Sequence, residues 1–183
     1  MPHSFIYLAS QSPRRQELLK QIGIRFEMLL PLPGEDSESI ETPLAGERAR
    51  IYVERVTLAK STAALSRWMK SGLPWAPILC ADTTVSLPNH PNGEILGKPS
   101  DAIDAARILT MLSGKTHEVL SSVAVTIHPD EKPIQMTQIS EVQFADLSTK
   151  QISAYIASGE PFGKAGAYGI QGLGGAFIPS IRG

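Results

Sequence analysis

Asp82 is the residue whose chemistry stands out first. It lies in Ile78-Leu79-Cys80-Ala81-Asp82-Thr83-Thr84-Val85, a near-continuous apolar run. Such a run reads as a central β-strand buried on both faces. Burying a lone carboxylate costs several kcal/mol unless it is paired or bound to a cation. A carboxylate at the end of this strand, followed by two threonines, therefore points to proton transfer or cation binding rather than to packing.

A second constellation is Ser10-Gln11-Ser12-Pro13-Arg14-Arg15, which follows the short apolar run Ile6-Tyr7-Leu8. Ser12 suits a helix N-cap and Pro13 the first helical position, where a missing N–H costs nothing. A helix N-terminus carries partial positive charge and ordinarily favours Asp or Glu in its first turn. Two arginines there make sense if an anion, phosphate above all, is bound by their guanidiniums and the free backbone N–H groups. The bland alternative is a solvated basic helix start, and the strand–turn–helix context favours phosphate.

Other candidates are distributed along the chain. Lys60 lies on or beside the apolar face of a helix, either snorkelling or reaching a phosphate. Pro31 to Glu38 is an acidic, breaker-rich loop: either it is merely solvated, or Glu35 or Asp36 reaches a metal near the first loop. Gly97-Lys98-Pro99 places a lysine on a stiff corner. The glycine-rich stretch Lys164 to Gly175 lets a backbone pass close to another surface or a ligand. Within it, Lys164 adds a cation and Gln171 an amide able to read a base edge. Cys80 reads as a small core residue, since no histidine lies near it in sequence. His117, near the start of a long strand, is catalytic or structural, and a lone histidine is more often the latter.

The elements that must hold these groups are readable in outline. Pro13 starts a helix with Leu18, Leu19 and Ile22 as its apolar stripe and Gly23 as its end. Residues 24–28 alternate as a half-buried strand. Thr42-Pro43 starts a helix that runs to about Lys70 and stops before Gly72. Asn92-Gly93 is a hairpin signal joining residues 85–87 to 94–96. Ser100 caps a helix with Ile103, Ala106 and Leu109 facing inward, closed by Ser113-Gly114. Residues 116–127 form a long strand whose main apolar residues are Val119, Val123, Val125 and Ile127, and residues 134–144 form another. Ser148 to Gln151 is a capping box, opening a helix with Ile152, Tyr155 and Ile156 on its apolar face. Ala176-Phe177-Ile178 reads as one more strand. The alternation predicts an α/β fold with a mixed sheet.

Composition sets the class. A chain of this length fits one domain, or one with two lobes. With 42% hydrophobic and 19% charged residues it is an ordinary globule. A net charge of −1 provides no overall basic field for nucleic acid or membrane. Arg14 and Arg15 come with neither a basic stripe nor a stacking platform, which argues against a nucleic-acid binder. No run approaches the ~20 apolar residues of a membrane span, no secretory segment opens the chain, and the single cysteine fits a reducing compartment. Cytoplasm is the expectation.

Together the motifs resemble the Maf family of nucleoside triphosphate pyrophosphatases. The matching pieces are Ala9-Ser10-Gln11-Ser12-Pro13-Arg14-Arg15, Ala81-Asp82-Thr83, Gly97-Lys98-Pro99, Leu112-Ser113-Gly114-Lys115-Thr116-His117 and Lys164 to Gly172, in the family's order and spacing. The resemblance implies one Maf-like domain over residues 1–183, with two lobes around a central cleft. It implies an elongated mixed sheet with flanking helices, similar to inosine triphosphate pyrophosphatases, and frequently a homodimer. The implied reaction is hydrolysis of a nucleotide's α–β phosphoanhydride to monophosphate and pyrophosphate, assisted by a divalent metal, Mg²⁺ or Mn²⁺. Asp82 matches the proton acceptor, and Ser10, Arg14, Arg15, Lys60, Lys98 and Lys164 match the phosphate and metal site. Arg14, Thr83 and Gln171 match the positions that mark the branch acting on dTTP and UTP. The family's acidic motif aligns ambiguously with Pro31 to Glu35. Glu35 is taken beside Asp82 as the metal ligand, leaving open which acidic residue of the 35–41 loop reaches the site. The family also continues beyond Gly183 with a strand and a helix that this sequence does not contain. The competing function is a nucleotide-binding regulator of cell division, to be separated from the enzyme by assaying pyrophosphate release.

Overall fold

A computed structural model describes residues 3–32, 35, 39–88 and 95–183. The strands are β1 (Ile6–Leu8), β2 (Phe26–Met28), β3 (Ile78–Ser86), β4 (Ile95–Leu96), β5 (Thr116–Thr126), β6 (Ile134–Gln143) and β7 (Ser180–Arg182). The α-helices are α1 (Pro13–Gln21), α2 (Ala49–Ser71), α3 (Ala102–Leu112) and α4 (Thr149–Ala157). The strands hydrogen-bond in the order β2-β1-β3-β5-β6-β7, with β4 also on β3. β1 is parallel to both β2 and β3, whereas β3–β4 and β6–β7 are antiparallel. The sheet is mixed and the fold is α/β, as expected.

By contacts the chain divides into two compact units. Unit 1 comprises residues 1–44, 51–82 and 122–137; unit 2 comprises 45–50, 83–121 and 138–183.

Unit 1 is built on β1, β2 and the first half of β3. Its core packs Tyr7, Leu29, Ala64, Ala76, Ile78 and Cys80, with Trp68 and Trp75 against it. The two tryptophan rings meet edge-on at 4.6 Å and serve as packing. A seam of buried hydroxyls joins α2 to the strands: Ser61 bonds Thr126 at 3.0 Å, and Ser122 accepts from Thr137 at 3.2 Å and Gln135 at 2.9 Å. These bonds explain a phase error in the sequence reading of β5. Val123 and Ile127 are each 38% exposed, and the buried face carries Leu120, Ser122, Ala124 and Thr126 instead. Of the α1 stripe only Leu19 is buried; Leu18 and Ile22 face outward. The long helix begins at Ala49 rather than at Thr42-Pro43. Gly46, with φ +71°, interposes a turn that an α-helix cannot continue through.

Unit 2 packs Val85, Leu96, Ile108, Leu109, Leu112, Phe144, Ile152, Tyr155 and Tyr168 into one cluster. Asp101, not Ser100, caps α3, its side chain accepting the Asp104 N–H. The one-residue shift turns Ile103 out to 82% exposure and buries Ala105, Ile108, Leu109 and Leu112. The capping box at Ser148 and Gln151 is formed as expected. The Asn92-Gly93 hairpin turn lies outside the described residues; the pairs Val85–Leu96 and Ser86–Ile95 flank it. The expected strand at 176–178 is not one: residues Leu173–Phe177 form a 3-10 helix and the last strand is β7.

Candidate active site

In unit 1 the parallel register Leu8↔Leu79 carries β1 and β3 side by side, and the Ala9 N–H donates to the Leu79 carbonyl at 2.9 Å. The chain leaving β1 therefore turns through Ser10–Ser12 just as β3 reaches Asp82. Asp82 is not at the end of its strand but in the middle, since β3 runs on to Ser86. It is 8% exposed, so its charge demands a partner. Lys60, from the middle of α2, is that partner: its ammonium donates to Asp82 Oδ1 at 2.6 Å and to Glu41 Oε1 at 2.7 Å. Lys60 is thus held by ion pairs and does not merely snorkel. It joins two carboxylates.

The helix start supplies the positive charge. Pro13 occupies the first helical position and Ser12 the N-cap, although the Ser12 side chain makes no capping bond. Ser10 Oγ accepts instead, from the Ser12 N–H at 3.3 Å and from Arg15 Nη1 at 2.9 Å. Burial pulls the Arg15 guanidinium below its usual range, and the neighbouring Arg14 charge adds to this; Asp82 and Glu41 pull the other way. Ser10, Arg15, Lys60, Asp82 and Glu41 therefore form one charged cluster, with Arg14 beside it.

Glu35 is engaged elsewhere. It receives Arg67 Nε at 2.9 Å and Nη2 at 2.6 Å, a bidentate pair, and the Leu32 N–H at 3.0 Å. Hydrogen bonding from Arg67 holds its carboxyl below the usual range. Among the described acidic residues of the 35–41 loop it is Glu41, at the end of a short 3-10 helix at Ser39–Glu41, that meets Asp82's partner. The sequence takes Glu35 first and leaves the other acids of the 35–41 loop open; the one local sign at Glu41 is its place directly before Thr42-Pro43.

Two carboxylate oxygens gathered on one cation suit a hard divalent ion such as Mg²⁺, which is commonly held by one or two carboxylates plus substrate phosphates. Among the described residues no group of three or more His, Cys, Asp or Glu side chains gathers as a self-contained metal cage. The donor set thus fits an ion shared with a polyphosphate.

Unit 2 holds the remaining candidates. Thr83 Oγ1 bonds Ser121 Oγ at 3.2 Å. Gly166, at φ +69°, donates its N–H to the Gly97 carbonyl at 3.0 Å, tying the Lys98 corner to the loop that carries Lys164. A side chain there would strike Val85, so the close approach requires glycine. Lys164 donates to the Glu160 carbonyl, Lys98 is exposed, and Gln171 is exposed in the same loop. His117 is structural. It is fully buried, its Nε2 lies 2.7 Å from Tyr168 Oη, and its ring packs edge-on against Phe144. Burial lowers its pKa to about 4 and raises the Cys80 thiol to about 12, so neither is charged near neutral pH.

Residues 5–183 match the family described as Maf-like protein. A dTTP/UTP pyrophosphatase of Ralstonia nicotianae is 54% identical over 182 residues, covering 100% of this chain and 86% of that protein. Proteins of the same description from Burkholderia lata and a Polaromonas species are 53% and 50% identical, over 97% and 98% of this chain and 83% and 86% of their own lengths. Among solved structures, the Ham1 protein of Staphylococcus aureus superposes with a TM-score of 0.51 at 16% identity, over 77% of this chain and 72% of that one, a likeness of fold. A strand-borne Asp82 paired with Lys60 beside an arginine-bearing helix start, in a sequence matched almost from end to end, leads to one statement of kinship: the chain belongs to the Maf family.

Proposed function

We propose that this chain hydrolyses dTTP and UTP to the nucleoside monophosphate and pyrophosphate. The observation that carries the reading is the Asp82–Lys60–Glu41 triad beside Ser10 and Arg15. Water attacks the α-phosphorus and must lose a proton, for which Asp82 is the acceptor. Lys60, 2.6 Å from Oδ1, holds the Asp82 carboxylate in place until that step. Within unit 1, Arg14 and Arg15 neutralise the triphosphate and the pyrophosphate that leaves; in unit 2, Lys98 and Lys164 are the lysines that the family resemblance assigns to phosphate. A divalent ion, bound by Asp82 and Glu41 together with substrate phosphate oxygens, would supply further charge neutralisation. The curated relatives named dTTP/UTP pyrophosphatase support pyrimidine substrates. Gln171 suits that choice, because its amide pairs with both N3–H and O4 of thymine or uracil.

No helix among the described residues is long and apolar enough to cross a membrane. Cytoplasmic location and a homodimer complete the proposal; light scattering of the purified protein tests the latter. The function itself is tested by pyrophosphate release from dTTP, UTP, CTP, ATP and GTP with Mg²⁺ and with Mn²⁺. Release is expected from dTTP and UTP above the rest, and only with metal. No release from either nucleotide would leave the chain a binding protein.

A further inference from the structure

Glu160 has no part in the chemistry described above, yet its contacts converge on the loop that carries two of the substrate-facing candidates. Its carboxylate Oε2 accepts the Leu173 N–H at 2.8 Å, and Oε1 accepts both the Gly174 N–H at 3.0 Å and the Tyr155 hydroxyl at 2.8 Å. Its main-chain carbonyl accepts the Lys164 ammonium. One residue thereby grips the loop at both ends, on either side of Gln171.

The grip is tight. A Cβ on Gly172 would lie 2.4 Å from Glu160 Oε2, and one on Gly174 would lie 2.7 Å from Tyr155 Oη. A side chain at Gly172 would push the Glu160 carboxylate out of its place, and one at Gly174 would also crowd the Gly169 backbone at 3.0 Å, so the glycines let the backbone close onto the carboxylate. Burial works against the charge, but the N–H groups of Gly174 and Leu173, with the Tyr155 hydroxyl, outweigh it and hold the carboxyl below its usual range. The pocketed anion stays ionised in the working pH range.

We propose that Glu160 is a positioning residue for base selection: its carboxylate pins Leu173 and Gly174 and so fixes the Gln171 amide for the pyrimidine edge. The proposal rests on the reading that Gln171 pairs with the base. Removing the carboxylate frees two backbone donors within three residues of Gln171 and leaves the Lys164 contact, which is to the main chain, in place. The consequence is a poorly held base with the phosphate chemistry intact.

The experiment compares Glu160→Ala, Glu160→Gln and Gln171→Glu with the wild type in kcat and KM for dTTP, UTP and CTP. Amide hydrogen exchange at Leu173 and Gly174 is measured on the same proteins. In Glu160→Ala the preference for dTTP over CTP in kcat/KM should fall about tenfold, through KM, with protection of both amides lost. Glu160→Gln keeps one acceptor oxygen, for either Leu173 or Gly174, and turns an NH2 towards the other, so its loss of preference should be intermediate. It also serves if the alanine variant folds poorly. An unchanged preference and unchanged KM in both variants overturn the proposal. So does a fall in kcat alone that tracks a lower thermal midpoint. If Gln171→Glu leaves the preference untouched, base reading by Gln171 fails by itself. Glu160 is then judged on KM for dTTP and on the two amides: raised KM with lost protection supports its positioning role, and wild-type values refute it.

Discussion

Replacing Asp82 with asparagine exchanges one oxygen for a nitrogen and removes a charge at the centre of the unit 1 cluster. The consequences for stability and for rate are separable. Asp82 Oδ1 lies 2.6 Å from the Lys60 ammonium, and the residue is 8% exposed. At an effective dielectric constant of about 20, that distance corresponds to roughly 6 kcal/mol of attraction. Holding the carboxylate out of water costs several kcal/mol in return, so the net contribution of the charge is small. An amide oxygen still accepts from Lys60, and Glu41 remains 2.7 Å away to share its charge. The expected loss of stability is about 1 kcal/mol, which for a chain of this size lowers the thermal midpoint by about 2–4 °C. Turnover should fall far more. Loss of a general base costs about 10²- to 10⁴-fold in kcat, or about 3–5 kcal/mol of transition-state stabilisation. At saturating Mg²⁺ KM should change little, because the arginines of the helix start are still present, while more metal is needed now that one of its two proposed carboxylate ligands is gone. The assay is phosphate release from dTTP in the presence of excess inorganic pyrophosphatase, with differential scanning fluorimetry on the same samples. A variant whose kcat stays within about threefold of the wild type refutes Asp82 as the base. A raised KM at unchanged kcat would reduce it to a binding group.

Three further outcomes are expected. Glu41→Gln should raise the Mg²⁺ concentration needed for half-maximal activity about tenfold, as loss of a metal-site group commonly does, while Glu35→Gln should leave it unchanged. A metal titration in which Glu35→Gln carries the larger shift would reverse the assignment of the acidic ligand. His117 is neutral and buried in the fold, with its pKa lowered to about 4 from an ordinary value near 6.5. The unfolded chain therefore binds the extra proton first. The stability this group contributes is complete above about pH 6.5 and is lost as pH falls toward 4, by about 3 kcal/mol in all. His117→Gln should flatten that limb of a stability-against-pH curve measured by urea unfolding; a limb as steep as the wild type's would show that other groups set it. Gln171→Glu removes the amide donor for O4, so kcat/KM for dTTP and UTP should drop more than that for CTP, by about tenfold. Equal losses on all three nucleotides would mean that Gln171 shapes its loop and does not read the base.

What could be read in the chain before its structure divides along a physical line. Where a feature is fixed by neighbours in sequence, the reading held: the Ser148–Gln151 capping box, the Pro13 helix start and the Ser113-Gly114 stop are decided within one turn of chain. Asp82 was legible for a related reason, since a charge in an apolar run is anomalous whatever surrounds it. Its partner was not. Lys60 is 22 residues from Asp82 and 19 from Glu41 along the chain, and nothing local distinguishes Glu41 from the other acids of its loop. Arg67 holds Glu35 apart from that cluster: its planar fork takes both carboxylate oxygens and its third nitrogen donates to the Leu29 carbonyl at 2.8 Å. Among the described residues of the loop it is Glu41 that meets Lys60. The face of β5 was misread for a similar reason. Counting apolar residues favours Val119, Val123, Val125 and Ile127, but Ser122 and Thr126 are buried because Gln135, Thr137 and Ser61 satisfy their hydroxyls from elsewhere in the fold. Hydroxyl and carboxylate burial is a decision of tertiary partners. Both Glu41 and the Glu160 anchor belong to that class, as functional groups whose sequence signal is indistinguishable from that of a solvated surface.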